Sequence, residues 1–275
     1  MTTLIIAEKP SAAKKIAEAL ADGKVEKNIY MKKIPYYDIT YKKKKIYVVC
    51  AVGHLYNLVE REKKGWIYPV FDIKWDEAHK ISKGSAFTKN YLALIKKLAK
   101  ECKEFVVATD YDVEGEVIGY NIVKYACKKD DAERMKFSTT TKEDLLDAYD
   151  KREKHLDIGQ AMAGDTRHHL DHFFGINLSR ALTLSVKNAT GTFKVLSSGR
   201  VQGPALKTLA ERELEINKFV PVPYWEIELA CEELSAWHEK GKFDERKKAE
   251  EIVKKCKGKK AIVEKIEKKK FKQAP

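Results

Sequence analysis

The sequence predicts an α/β fold built on a mostly parallel sheet, and three features of the chain indicate it. Its longest apolar runs, such as Leu4–Ala7 and Phe105–Ala108, have the length of buried strands. The segments between such runs repeat apolar residues at helical spacing. Strands that alternate with helices are joined by crossovers, which place neighbouring strands parallel. At 275 residues the chain has room for one large domain or two smaller ones.

The first half of the chain supplies most of these elements. Thr3–Ala7 is a short β-prone run, and Pro10 after it can open a helix with an apolar stripe through Ile16. The later predicted elements are, in order, a strand over Lys45–Val52, a helix over Tyr91–Cys102, a strand over Phe105–Thr109, a helix carrying Ile118, Ile122 and Ala126, a strand over Met135–Ser138 and a helix over Lys142–Lys151.

From about residue 155 the pattern becomes mainly helical, and short strands return near the end. The predicted elements are a helix near Ile158–Phe174, a loop over Ser197–Gly203, a helix from Pro204 to about Asn217, a strand over Tyr224–Cys231, a helix after Glu250 and a strand around Ala261–Ile266. Pro221 and Pro223 end the second of these helices. These changes of pattern divide the chain into three domains, at residues 1–152, 153–222 and 223–275.

The chain carries a strong positive charge. Its 54 Lys and Arg residues exceed its 41 Asp and Glu residues, which gives a formal charge of +13 and indicates an anionic partner such as nucleic acid. A thermophile-type surface rich in Lys and Glu is the alternative, since 35% of the residues are charged against a typical ~25%. Charge alone therefore leaves both interpretations open.

Several classes of protein are disfavoured by the sequence. No apolar run approaches the roughly 20 residues needed to cross a bilayer, and the N-terminus reaches Glu8 and Lys9 too early for a signal peptide. No two of the five cysteines have C-x-x-C spacing, so neither a zinc ribbon nor a disulfide framework is indicated. No G-x-G-x-x-G motif follows a predicted strand, which argues against dinucleotide binding. We expect a cytoplasmic protein with no membrane partner.

A group of carboxylates follows the predicted strand over Phe105–Thr109. Asp110 and Asp112 come directly after it, and Glu114 follows where a helix begins. Carboxylates this close repel one another unless a cation or protons neutralise them. Mg²⁺ prefers such hard oxygen ligands and needs only one or two carboxylates beside a phosphate. The alternative is a solvated helix start, with Asp112 as the N-cap and Glu114 favouring the helix dipole.

Glu8 favours the metal site over that alternative. It ends the first predicted strand, and the carboxyl ends of parallel strands share one edge of a sheet, where ligands of open α/β folds bind. A second acidic centre flanked by Lys9 is not explained by helix capping. We therefore predict a Mg²⁺ site whose ligands are Glu8, Asp110, Asp112 and Glu114.

Two motifs together resemble the Toprim fold, which topoisomerases, bacterial primases and some nucleases share. They are Ile6-Ala7-Glu8-Lys9-Pro10-Ser11 and Asp110-x-Asp112-x-Glu114-Gly-Glu116. The resemblance implies that Glu8 is a catalytic acid/base and that Glu8 and Asp110 are the primary metal ligands, with Asp112 and Glu114 in support. It also makes Lys9 the cation that stabilises phosphate charge in the transition state.

Two later segments resemble type IA DNA topoisomerases, particularly the archaeal and topoisomerase III-like members. They are Thr166-Arg167-His168-His169-Leu170-Asp171 and Ser197-Ser198-Gly199-Arg200-Val201-Gln202, the latter followed by Pro-Tyr-Trp at 223–225. The resemblance runs from residue 4 to about 230. It implies a Toprim-type sheet with flanking helices, then a mainly helical DNA-binding domain, then the first strands of an arch domain.

The same resemblance assigns DNA-binding roles. The guanidinium fork of Arg167 suits a phosphate, and Asp171 would orient a nucleotide or Arg167 itself. The polar loop before the second helix suits a grip on the DNA backbone. The alternatives are an intrahelical Arg167–Asp171 ion pair, a plain helix cap and a structural His54. The implied set is His54, Arg167, His168, Asp171, Ser197, Ser198, Gly199, Arg200, Val201 and Gln202.

The nucleophile of the family is missing. Type IA enzymes cut one DNA strand with a tyrosine in a Tyr-x-Arg-Thr context, and none of the thirteen tyrosines here has that context. We therefore expect a monomeric fragment that binds Mg²⁺ and single-stranded DNA but needs a downstream domain for cleavage. The alternatives are another Toprim enzyme, such as a primase or nuclease, and a non-catalytic DNA-binding subunit.

Overall fold

The computed structural model describes residues 2–230 and 234–272. The chain divides into two compact units, Met1–Lys207 and Thr208–Pro275. The strands of the first unit are β1 (Thr2–Ala7), β2 (Glu26–Tyr30), β3 (Ile34–Tyr41), β4 (Lys44–Cys50), β5 (Tyr56–Glu60), β6 (Ile73–Glu77), β7 (Glu104–Ala108) and β8 (Glu133–Arg134).

The helices that begin in the first unit are α1 (Pro10–Leu20), α2 (Ala78–Ile81), α3 (Thr88–Ala99), α4 (Val113–Asn121), α5 (Lys142–Asp150), α6 (Ile158–Thr190) and α7 (Gln202–Lys218), of which the last continues into the second unit. A π-helical segment, Ile122–Cys127, continues α4. No helix of the described residues combines the length and the apolar character that crossing a membrane requires.

Six of the strands form one mixed sheet in the order β2-β3-β4-β1-β7-β8. Strands β4, β1, β7 and β8 run parallel, whereas β2 and β3 add an antiparallel edge. The mostly parallel centre confirms the predicted fold class, and the antiparallel edge was not predicted.

Both faces of the parallel strands are buried. Leu4 and Ile6 of β1 face α3 and α4, whereas Ile5 and Ala7 face α1 and α5, as the alternation of side chains along a strand requires. A strand covered on both faces has no polar side, which explains why β1 and β7 are continuous apolar runs.

Three predicted elements differ from the structure. A strand was predicted at Met135–Ser138, but the strand that forms there, β8, consists of the two preceding residues. The helix predicted to end near Phe174 continues as α6 for 33 residues, until Gly191 adopts a left-handed φ of 74°. No strand forms at residues 261–266, where every residue is exposed.

A separate hairpin, β5–β6, packs beside α6. The Asn177 amide accepts from the Val70 backbone N–H at 2.7 Å and donates to the Val70 carbonyl at 3.0 Å. Arg180 pairs with Glu60, and the Trp75 indole N–H donates to an Asp165 carboxylate oxygen at 2.8 Å. These contacts fix α6 to the hairpin and to the segment that joins its two strands.

The second unit is small. Its described elements include the antiparallel pair β9 (Glu228–Ala230) and β10 (Ser235–Trp237), and α8 (Arg246–Cys256). Strand β9 is the core of the predicted Tyr224–Cys231 strand, whose last residue lies outside the described residues. An isolated bridge joins Trp225 to Phe243.

Candidate metal centre and nucleic-acid interface

The carboxyl ends of β1 and β7 bring Glu8 and Asp110 together. The two strands are parallel neighbours in which Ala7 lies opposite Ala108. The residues that follow each strand therefore leave the sheet at the same edge. The Asp110 backbone N–H donates to Glu8 Oε2 at 3.2 Å. Two acidic residues separated by about a hundred positions in the chain therefore form one centre.

Lys9 shares its charge between these two carboxylates. Its Nζ lies 2.6 Å from Asp110 Oδ2 and 3.7 Å from Glu8 Oε1. The hydrogen bond to Asp110 raises the pKa of Lys9, so the side chain is a cation over the whole neutral range. Two carboxylates that already share one cation are a hard-oxygen donor set, which fits Mg²⁺.

Glu8 is a partly buried carboxylate whose pKa is raised. Its side chain is only 15% exposed, and burial, followed by the negative charges of Asp110 and Asp112, raises its pKa. A raised carboxyl pKa in a cleft is the property that general acid/base catalysis uses.

Asp112 acts as the N-cap of α4. Its Oδ1 accepts the Gly115 backbone N–H at 2.7 Å, which is the capping contact that the sequence left open as an alternative. Gly115 itself has no room for a side chain, because a Cβ there would lie 2.1 Å from the Asp110 carbonyl oxygen. The acidic loop, residues 109–112, is therefore folded tightly against the first turn of α4.

A buried ion pair that sequence reasoning missed supports this loop. Arg134 and Glu116 are both 0% exposed, with Nε and Oε2 2.7 Å apart. The Arg134 guanidinium also donates to the carbonyl oxygens of Thr109 at 3.0 Å and Asp110 at 2.9 Å. Nothing in the local pattern around Arg134 signals this role, since its partners come from other elements.

Glu114 lies apart from Glu8 and Asp110 in its contacts. Its Oε2 accepts from His54 Nε2 at 3.1 Å and His168 Nε2 at 2.9 Å, and its Oε1 lies 3.7 Å from an Arg167 nitrogen. Burial opposes ionisation, but the His168 hydrogen bond and the nearby positive charges lower the pKa of Glu114. Burial and the neighbouring His168 lower the pKa of His54.

The four predicted metal ligands thus make three different sets of contacts. Glu8 and Asp110 meet at the sheet edge, Asp112 caps α4, and Glu114 faces two histidines. Among the described residues, the group of three metal-ligating side chains whose ligand atoms lie within 4.8 Å of one another is His54, Glu114 and His168.

The predicted DNA-binding residues of α6 and the following loop are linked by Asp171. Arg200 Nε donates to Asp171 Oδ1 at 2.8 Å and a terminal nitrogen of Arg200 donates to Oδ2 at 3.3 Å. The nearest Arg167 nitrogen is 3.8 Å from Asp171. The principal partner of Asp171 is therefore Arg200, from the loop, and the predicted intrahelical neighbour is the more distant one.

The rest of the loop, residues 197–202, is tied to α6 through Ser179. The Ser198 backbone N–H donates to Ser179 Oγ at 3.0 Å, and that hydroxyl donates to the Ser198 carbonyl at 3.2 Å. The Ser197 hydroxyl lies 3.5 Å from the Gln202 side-chain oxygen. Gly199 has open space around its Cα, and Val201 is exposed. The loop is anchored at its base and open to a ligand on its outer side.

Comparison with known proteins gives the class of this site. The family model described as the Toprim domain matches residues 3–140, and the model described as DNA topoisomerase matches residues 155–275. The chain belongs to the type IA DNA topoisomerase family, in which it carries a Toprim domain. This confirms both resemblances drawn from the motifs.

Two of the similar proteins come from archaea. The DNA topoisomerase 1 of Methanocaldococcus jannaschii is 50% identical, over 100% of this chain and 36% of that protein. The DNA topoisomerase 1 of Pyrococcus horikoshii is 47% identical, over 99% of this chain and 40% of that protein. The chain therefore spans less than half the length of these relatives.

A solved structure supports the fold. The full-length topoisomerase I of Thermotoga maritima superposes with a TM-score of 0.60 at 24% sequence identity, over 90% of this chain and 37% of that chain. At this identity the likeness concerns the fold alone.

Proposed function

We propose that the chain is the metal-binding and DNA-gripping part of a type IA topoisomerase that relaxes negatively supercoiled DNA by transient cleavage of one strand. The observation that carries the proposal is the contact of Arg167 and His168, on α6, with Glu114 of the acidic motif. It joins the residues assigned to DNA to those assigned to metal. We assign residues 1–152 to the Toprim domain, 153–222 to a helical DNA-binding domain and 223–275 to the start of an arch domain.

Glu8 and Asp110 are the residues that would hold Mg²⁺. The bound ion would supply positive charge to the phosphate that reacts. Glu8, with its raised pKa, is suited to give a proton to the sugar oxygen that leaves phosphorus during cleavage and to take it back during religation. Lys9, 58% exposed, would reach a non-bridging phosphate oxygen and stabilise its charge.

The DNA grip is assigned to α6 and the loop at 197–202. The Arg167 side chain is 56% exposed and can offer its planar fork to a phosphate. The loop offers backbone N–H groups and hydroxyls from a base fixed by Arg200 and Ser179. Such contacts position a strand without reading its sequence, which is what an enzyme acting on many sites needs.

The strand-cutting tyrosine is assigned to a part of the enzyme that this chain does not contain. None of the thirteen tyrosines precedes x-Arg-Thr. Tyr111 lies in the acidic loop, but its ring is covered by the Lys136 ammonium, 4.9 Å from the ring centroid. We expect the chain alone to bind single-stranded DNA as a monomer, without nicking or relaxing it.

Fluorescence anisotropy of a labelled single-stranded oligonucleotide tests the grip. Arg200→Ala should weaken binding clearly across a salt series, because it removes both a cation and the clasp to Asp171. Arg61→Ala is the matched control, since Arg61 is an exposed arginine paired with Asp72, outside the residues assigned to DNA. Equal binding of single strand and duplex by all three proteins would mean that the positive charge attracts DNA without a specific grip, which would contradict the assignment of the loop. A nick without covalent attachment would instead support a Toprim nuclease.

A further inference from the structure

His54, Glu114 and His168 converge from three separate parts of the first unit. His54 follows β4, Glu114 lies in the first turn of α4, and His168 lies on α6. Both imidazole Nε2 atoms point at the same carboxylate oxygen, at 3.1 and 2.9 Å. All three side chains are partly exposed, at 26%, 37% and 28%, so an ion from solvent can reach them.

The donor set of this cluster differs from that of the sheet edge. Two imidazole nitrogens and one carboxylate oxygen suit zinc, cobalt, nickel and other first-row transition ions, whereas Mg²⁺ prefers oxygen ligands alone. Glu8 and Asp110 provide the all-oxygen set. The two clusters therefore differ in the chemistry of their ligand atoms.

The geometry is close to what a tetrahedral ion needs. Zinc with bonds of about 2.0–2.2 Å places neighbouring ligand atoms about 3.4 Å apart. The two nitrogen–oxygen distances are already within about half an ångström of that spacing, and the three ligand atoms lie within 4.8 Å of one another. Small rotations of the rings would open a space for an ion bound through the Nε2 atom of each imidazole and Oε2 of Glu114.

Neighbouring groups hold the three ligands in place. The His168 ring packs edge-on against Trp75, with centroids 5.5 Å apart, and Trp75 is fixed by its hydrogen bond to Asp165. Arg167 lies near the other oxygen of Glu114 at 3.7 Å, which leaves Oε2 for the histidines. Support of this kind orients ligands at metal centres.

We propose that His54, Glu114 and His168 form a binding site for a divalent transition-metal ion of the Zn²⁺ or Co²⁺ type, separate from the Mg²⁺ centre. The ion would tie α6 to α4 and to the turn that carries His54. The proposal does not depend on DNA binding or on the assignment of Glu8 and Asp110.

Titration with Co²⁺, followed by calorimetry and by visible absorption, tests the site on the whole chain. We expect about one equivalent of Co²⁺ to bind with the absorption of a nitrogen-ligated ion, and Zn²⁺ to abolish that absorption. His54→Gln and His168→Gln should each weaken binding by at least about tenfold, the lower end of the loss seen even for outer partners of metal ligands. His169→Gln is the matched control, because His169 is the next residue and pairs with Asp165 instead.

Two further variants separate this site from the Mg²⁺ centre. Glu114→Gln should lose Co²⁺ binding, whereas Glu8→Gln should keep it, and excess Mg²⁺ should not displace the Co²⁺. Thermal unfolding of each variant establishes that it is folded. Unchanged Co²⁺ binding by a folded His54→Gln or His168→Gln protein, no saturable binding by the wild type, or displacement by Mg²⁺ would each overturn the proposal.

Discussion

Replacing Arg134 with alanine should destabilise the first unit severely, because it leaves the Glu116 carboxylate buried without its cation. Both side chains are 0% exposed. Removing one partner of such a pair costs about 3–5 kcal/mol. The loss also strips donors from the carbonyls of Thr109, Asp110 and Met135, which Arg134 contacts at 2.9–3.0 Å. These carbonyls add to the cost wherever water cannot replace the donor.

The effect is large enough to measure by heat and urea unfolding, followed by circular dichroism. For a unit of this size each kcal/mol lowers the midpoint by about 2–4 °C, so Arg134→Ala should lower it by about 6–20 °C. Arg61→Ala is the matched control, since Arg61 pairs with Asp72 at 2.8 Å on the surface, with 58% and 73% exposure. An exposed pair contributes about 0–1 kcal/mol.

A double variant checks the physical reason. Combining Arg134→Met with Glu116→Leu removes both charges and keeps similar volumes, so it should recover much of the stability that Arg134→Ala loses. The reasoning is refuted if Arg134→Ala costs no more than Arg61→Ala. It is also refuted if the double variant is as unstable as the single one.

Three further predictions concern the acidic loop and the thiols. Gly115→Ala should weaken Mg²⁺ binding and lower the unfolding midpoint, because its Cβ would lie 2.1 Å from a carbonyl oxygen of the loop. The control Gly175→Ala, in open space within α6, should stabilise the protein by about 0.5–1 kcal/mol, and unfolding curves of the two variants measure the difference. The raised pKa of Glu8 means that the folded state binds its proton more tightly, so this residue costs stability increasingly as pH rises from 4.5 through the raised pKa. In metal-free buffer Glu8→Gln should therefore be more stable than wild type at pH 7, with the difference vanishing below pH 4.5; a constant difference would contradict this. Alkylation followed by peptide mapping should modify the exposed Cys256 before the buried Cys50, Cys102 and Cys127, because burial raises the pKa of these three thiols to about 12. Equal rates at the four thiols would contradict this.

The centre of the fold was predictable because burial on both faces leaves a strong signal. Strands β1 and β7 contain few polar residues, and the acidic motif directly follows β7. Their parallel pairing then requires Glu8 and Asp110 to meet at one edge. This part of the site follows from a short chain of local inferences.

The antiparallel edge gave no such signal, for a reason visible in its turns. The connection between β3 and β4 consists of Lys42 and Lys43, with left-handed φ values of 48° and 64°. Two-residue hairpin loops of this kind usually contain Asn or Gly, so a loop of two lysines does not indicate a hairpin. The run of lysines reads as a solvated surface segment, and β2 and β3 were missed with it.

The partners within the site could not be read from local spacing. Asp171 has Arg167 four residues before it in the helix, yet it pairs mainly with Arg200, 29 residues away. Glu114 meets His54 and His168, which are 60 and 54 residues away. Motifs identified the residue types of the site, whereas tertiary packing decided which side chains meet.

Calorimetric titration of Mg²⁺ tests the central claim, that Glu8 and Asp110 at the sheet edge form the metal centre of a topoisomerase. The wild type should bind Mg²⁺ saturably, and both Glu8→Gln and Asp110→Asn should lose that binding. Asp72→Asn, which changes an exposed carboxylate paired with Arg61, should bind as the wild type does. Equal Mg²⁺ binding by all four proteins would contradict the account.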